Sequence, residues 1–195
     1  MSLPTSPYCT IGPFFPGEFA DGCCDLTNFA GKQARGPHIM LTGIVVEEGN
    51  RPIRNAIVEI WQPDANGVFR HPLDPRSKEA DPGFFGWGRA RTDGEGSYVF
   101  RTVLPGAYAT EDGAKRCPHI NLMVLAIGLT RRLVTTVFFG DGPASDPLLD
   151  CVADPGRRAR LFAIRDQAVN GAEGLPVYRF DIVTRGEAET PFFLD

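Results

Sequence analysis

Six short runs along the chain, 39–46, 56–61, 97–102, 120–126, 133–139 and 177–184, are apolar or alternate apolar with polar residues. In Tyr98-Val99-Phe100-Arg101 and Tyr178-Arg179-Phe180-Asp181-Ile182 the large apolar side chains recur at every second position. That is the period of a strand with one buried face. Turn residues stand between the runs: Glu48-Gly49-Asn50, Asn66-Gly67, Asp93-Gly94-Glu95-Gly96 and Pro105-Gly106. Strands of this length and spacing predict an all-β chain folded as a two-sheet β-sandwich with long loops, rather than alternating βαβ units. One short helix is expected near 155–169, with Asp154 as N-cap, Pro155 at the first helical position, and Leu161, Ile164 and Ala168 on one face.

Two stretches lack either period. The passage 64–88 is irregular and rich in Pro and Gly, which predicts a surface excursion whose Phe84-Phe85-Gly86-Trp87 patch packs beneath it. Residues 1–38 are likewise aperiodic and read as an extended arm. Within it, Thr10-Ile11-Gly12-Pro13-Phe14-Phe15 joins a small flexible backbone to two aromatic rings, suited to lying along either its own domain or another surface.

With 195 residues the chain suits a single domain over 1–195, an arm at 1–38 followed by a sandwich at 39–195. A formal net charge of −4 and scattered Arg residues give no footprint for nucleic acid. No apolar run reaches the ~18–20 residues of a membrane span, and the start MSLPTSPY lacks signal-peptide character, so a cytoplasmic protein is expected. Five Cys without paired spacing predict reduced thiols rather than a disulfide framework or a structural zinc site. Cys117, although near a His, is expected to be a packing residue, and no role is assigned to Cys23-Cys24.

Candidate chemistry gathers in 105–128, where Tyr108, Arg116 and His119 lie in a short span. A loop Tyr followed by a strand carrying His at i and i+2 is a layout that supplies phenolate and imidazole to a metal. Here the second His position holds Asn121.

Three segments, Glu59-Ile60-Trp61-Gln62-Pro63-Asp64-Ala65-Asn66-Gly67, Phe85 to Arg89 followed by Thr92 to Phe100, and Pro105-Gly106 with Pro118-His119-Ile120-Asn121, together resemble the intradiol ring-cleavage dioxygenases. The likeness extends through Thr10, Gly12 and Pro13 in the arm and through 178–193 at the tail, and so covers essentially the whole chain. It implies a prealbumin-like or Ig-like β-sandwich. It also implies a non-haem Fe(III) held, in catalytic chains, by two Tyr and two His. Tyr108, Arg116 and His119 match the second Tyr, an active-site Arg and the first His; Asn121 replaces the second His, and 70–75, where the first Tyr is expected, contains none.

The resemblance therefore points to the alpha, non-iron-binding type of chain. The Fe(III) would lie on an iron-bearing beta subunit of the same fold, in a higher alpha-beta oligomer. Thr10, Gly12 and Pro13 would contact the substrate, and Tyr108, Arg116 and His119 would be vestigial, with no metal in this chain. The implied reaction, in aromatic compound catabolism by the beta-ketoadipate pathway, is cleavage of protocatechuate by O2 to 3-carboxy-cis,cis-muconate. Ile127 stands where such chains can carry an Arg for the substrate carboxylate, with Arg131 and Arg132 close behind. Two alternatives remain open: a self-sufficient dioxygenase for another catechol, with His71 as a rescuing ligand, and a non-catalytic prealbumin-like binding module.

Overall fold

The computed structural model describes residues 17–140 and 145–193. Among these residues ten strands build two sheets: β1 (His38–Glu47), β2 (Ile57–Trp61), β3 (Trp87–Arg91), β4 (Ser97–Val103), β5 (His119–Leu125), β6 (Leu133–Phe138), β7 (Ile164–Asn170), β8 (Pro176–Arg179) and β9 (Ile182–Val183), with a short tenth, Arg51–Pro52, pairing antiparallel with the end of β1. One sheet runs β6-β5-β2-β3, all antiparallel. The other is centred on β1, which pairs antiparallel with β4 and parallel with β8 and β9, while β7 pairs antiparallel with β8. Two short pairs, Asn28–Phe29 with Lys32–Gln33 and Tyr108–Ala109 with Lys115–Arg116, lie outside them.

The sheets are layered because each strand keeps one apolar face. Along β1 and β5 buried positions alternate with more exposed ones. Leu41, Val45 and Phe100 from one sheet meet Val58, Ile60, Ile120, Leu122 and Val124 from the other in a single core. Each large side chain so buried contributes about 2 kcal/mol. The β-sandwich read from the sequence is the observed architecture.

Four expectations are revised. The helix expected over 155–169 is only α2 (Pro155–Ala159); Asp154 does cap it, its side chain accepting from the Arg157 amide at 2.7 Å. Beyond it Phe138 N–H donates to the Leu161 carbonyl at 2.8 Å, and Ala163 N–H donates to the Phe138 carbonyl at 2.9 Å. The end of β6 thus draws 161–163 into extended form, and 164–170 continues as β7, leaving Ile164 72% exposed instead of on a helix face. A second helix, α1 (Pro147–Asp150), was not anticipated.

The run 177–184 is two strands, because Asp181 between them turns its carboxylate to accept the Ile44 amide at 3.1 Å. Strand β3 sits where the loop was expected to end. It escapes a pattern search because its inward positions are Gly88 and Ala90 while Trp87 and Arg89 point outward. A Cβ on Gly88 would lie 2.6 Å from Leu26 Cδ1, so the close approach of 23–26 requires glycine there. The described part of the arm, 17–37, follows the sandwich surface: Leu26 is buried in the core and its amide donates to the Arg101 carbonyl at 2.8 Å. Of the aromatic patch, Phe84 is buried, whereas Phe85 is 40% exposed and stacks on Phe29.

Candidate active site

Tyr108 is positioned by the 64–67 turn, distant in sequence, which packs on the residues just before it. Gly106 N–H donates to the Asp64 carbonyl at 2.9 Å, and a Cβ on Gly67 (φ +74°) would fall 2.2 Å from the Ala107 oxygen. Only glycine at 67 lets the 64–67 turn press on the 105–107 turn. The loop itself is knotted by carboxylates: buried Asp64 accepts from the amides of Asn66, Val68 and Asp81, and Asp74 accepts from those of Phe69 and Arg76.

Tyr108 and Arg116 are direct partners across their short antiparallel pair, and Cys117-Pro118 then leads into β5, whose first residue is His119. The three residues singled out in the sequence therefore do converge. Tyr108 Oη and Arg116 Nη2 each lie 3.5 Å from His119 Nε2. On the other side of the ring, His119 Nδ1 is 2.6 Å from the Cys117 carbonyl. A carbonyl only accepts, so Nδ1 carries the proton and Nε2 keeps the lone pair.

Burial pushes the His119 pKa down to about 4, helped by the Arg116 charge and opposed by the Cys117 carbonyl and by Asp146. The ring is neutral near pH 7. Burial likewise raises the Tyr108 phenol, with Arg116 opposing, so that the group is a neutral donor. Cys117 is raised mainly by burial and remains a thiol, its Sγ 3.6 Å from the Ser145 oxygen.

Asp146 completes the cluster and escaped the sequence reading. It is fully buried and caps α1 through the Leu148 amide at 2.9 Å. It also accepts from the Cys117 amide at 2.8 Å and from Arg116 Nε at 3.1 Å on both oxygens. Asp-Pro at a helix start was its only signal.

Other candidates fall elsewhere. Asn121 lies opposite Thr136, whose hydroxyl donates to the Asn121 amide oxygen at 2.9 Å. His71 is exposed, edge-on to Trp61 at 6.2 Å, with Nδ1 accepting from the Leu73 amide. It borders the same cavity as Tyr108. His38 is the first residue of β1, its Nε2 2.9 Å from the Ala34 carbonyl. The ring that the long loop sets against Tyr108 is Phe69, edge to face at 5.2 Å. Residues 70–75, where the absent phenol was expected, offer no Tyr to the site. Thr10, Gly12 and Pro13 lie outside the described residues.

These side chains do not fit a ferric ion. The lone pair of His119 faces a guanidinium, which places a permanent positive charge where a metal would approach. The nearby carboxylate of Asp146 is consumed by that guanidinium, the Asn121 oxygen by Thr136, and Phe69 has no oxygen to offer. Among the described residues no group of three or more His, Cys, Asp or Glu is assembled for a metal.

Residues 11–186 match the dioxygenase family, and the chain belongs to it. Members of the intradiol class use non-haem Fe(III). Two curated relatives of matching length are protocatechuate 3,4-dioxygenase alpha chains. That of Pseudomonas putida is 32% identical, the alignment covering 98% of this chain and 96% of the relative. That of Burkholderia cepacia is 34% identical, covering 98% of each. The Burkholderia cepacia beta chain is 37% identical over 86% of this chain and 73% of its own length. Among solved structures, an intradiol ring-cleavage dioxygenase from Tetranychus urticae superposes with a TM-score of 0.59 at 21% identity, over 92% of this chain and 96% of that one, a likeness of fold. No helix among the described residues is long and apolar enough to cross a membrane.

Proposed function

We propose that this chain is the alpha, non-iron-binding subunit of a protocatechuate 3,4-dioxygenase. It would act with an iron-bearing beta subunit to open protocatechuate with O2 to 3-carboxy-cis,cis-muconate. The observation that carries this reading is Arg116 set against His119 Nε2, which turns a would-be ligand into part of a closed polar cluster. Near-complete mutual coverage with two alpha chains supports it. In this reading Tyr108, Arg116 and His119 are a relic, the Fe(III) is on the partner, and Thr10, Gly12 and Pro13 contribute substrate contacts. The chain's work is to shape the pocket, exclude water and orient the carboxylated ring.

A second reading, a self-sufficient dioxygenase for another catechol, is favoured by the 37% identity to a beta chain and by His71 bordering the cavity beside Tyr108. One experiment separates them. The chain is purified alone and after co-expression with an iron-bearing beta chain, and each preparation is assayed for iron, visible absorbance and O2 uptake with protocatechuate. The alpha reading expects iron, colour and turnover only in the complex; a tightly held ferric ion and turnover in the chain alone would overturn it.

A further inference from the structure

We propose that a groove on the outer face of the β6-β5-β2-β3 sheet is the docking site of this chain's own Phe14-Phe15 pair. Strand alternation makes the face. Ile60 and Leu122 point into the core, so Glu59, Trp61, Asn121 and Met123 point away from it. The registers then gather them: Trp61 lies between Trp87 and Asn121, and Met123 lies between Glu59 and Val134. These six residues line a groove of about 270 Å³. They are only partly buried, although two indoles, a thioether and a valine are among them. The carboxylate of Glu59 is neutralised by Arg89 at 2.6 Å, and the Asn121 oxygen is held by Thr136. Arg132, exposed at the border, is a cation that the face of an aromatic ring accommodates. The volume falls below the ~300–1,000 Å³ of small-molecule sites and suits inserted side chains instead.

The described chain begins at the edge of this groove. In its first turn, Gly17–Phe19, the Phe19 ring centroid is 3.5 Å from the Arg89 guanidinium, and the Phe19 carbonyl accepts from Arg89 Nη1 at 3.1 Å. The same guanidinium lies 4.8 Å from the Trp87 ring centroid and pairs with Glu59, so Phe19 is fixed beside two residues of the lining. Residues 1–16, outside the described residues, lead into this anchor, and the large apolar side chains nearest to it are Phe14 and Phe15. Phe15 is four residues from Phe19, a reach of roughly 13 Å. Pro13 and Pro16 flank the pair and reduce the freedom lost when it docks. Aromatic rings pack favourably on indoles and on a thioether. The contact lies within one chain and needs neither iron nor a beta subunit. It goes beyond the function proposed above, and it leaves Thr10, Gly12 and Pro13 just upstream for the substrate contacts of that reading.

The test uses the full chain with Phe15 replaced by p-benzoylphenylalanine, whose photo-excited ketone inserts into nearby C–H bonds, those of methionine above all. Irradiation should give an intrachain cross-link to Met123, Trp61 or Trp87, in a yield independent of protein concentration. A cross-link joining two chains would assign the groove to a second copy and overturn the proposal. An intrachain product elsewhere, or none, would overturn it too. Fluorescence supplies a second readout, because Trp61 and Trp87 are the two Trp residues of the chain. In F14S/F15S the acrylamide quenching constant should rise about twofold, as both indoles regain solvent. Quenching equal to that of the parent chain would also overturn the assignment. Circular dichroism checks that F14S/F15S is folded, and the cross-link, made with the aromatic pair in place, decides the matter if it is not.

Discussion

Two polar clusters sit on adjoining loops of this molecule and are satisfied to different degrees. Around Asp64 three backbone amides donate to one buried carboxylate at 2.8 to 3.0 Å, and the same residue's carbonyl holds Gly106. Around His119 the imidazole lone pair meets its neighbours only at 3.5 Å, and the short contacts belong to Asp146 and the Cys117 carbonyl. The first cluster is the frame that aims Tyr108; the second holds the chemistry-bearing side chains. Positioning and ligation are thus separate layers here, with a fully bonded frame aiming a donor set that suits no ferric ion.

The largest expected effect comes from removing the charge that closes the second cluster. Arg116→Met leaves the fully buried Asp146 without its cation and should cost about 4 kcal/mol in urea unfolding. A loss below that of an ordinary surface substitution would mean that the cluster is not held by this pair. Breaking the frame comes next. Asp64→Ala strands three backbone amides, two of them buried, and should cost about 3 kcal/mol, with faster hydrogen exchange at the buried amides of Val68 and Asp81. If those amides kept their protection, the frame would rest on something other than the carboxylate.

The smallest effect sharpens the comparison through pH. His119 has a folded pKa near 4, below its unfolded value of about 6.5, so the unfolded chain binds the proton first as pH falls. Its contribution is complete above pH 6.5 and is lost between 6.5 and 4, amounting to about 2 kcal/mol by pH 5. Chemical denaturation across this range should show a slope that His119→Gln removes, whereas Asp64→Ala should leave that slope in place.

The strands of the core were legible in sequence because alternation is read locally: β1, β2, β4, β5 and β6 lie within a residue or two of their expected positions. Strand β3 was not, since a strand with Gly88 and Ala90 inside and Trp87 and Arg89 outside inverts the usual code. The stretch after Ala159 has helical spacing, and only its pairing with Phe138 and with β8 overrides that preference. In the site, Tyr108, Arg116 and His119 could be gathered by proximity along the chain. Asp146 and Phe69 could not, because both arrive through loops whose paths depend on the Asp64 knot and the α1 cap.

Strand β1 sets a schedule for the chain as well as an order of strands. It is translated well before its parallel partners: Met40 to Thr42 find theirs only at Val177 to Arg179, and Val45 and Val46 theirs at Ile182 and Val183. Until the ribosome has released those residues, β1 has β4 beside it and an unpaired row of amides and carbonyls along the other edge. Closing so long a loop is entropically slow, and an open apolar edge invites pairing with other nascent chains. The yield of folded protein should therefore be decided when residues 176–183 emerge, far in sequence from the residues that carry the chemistry.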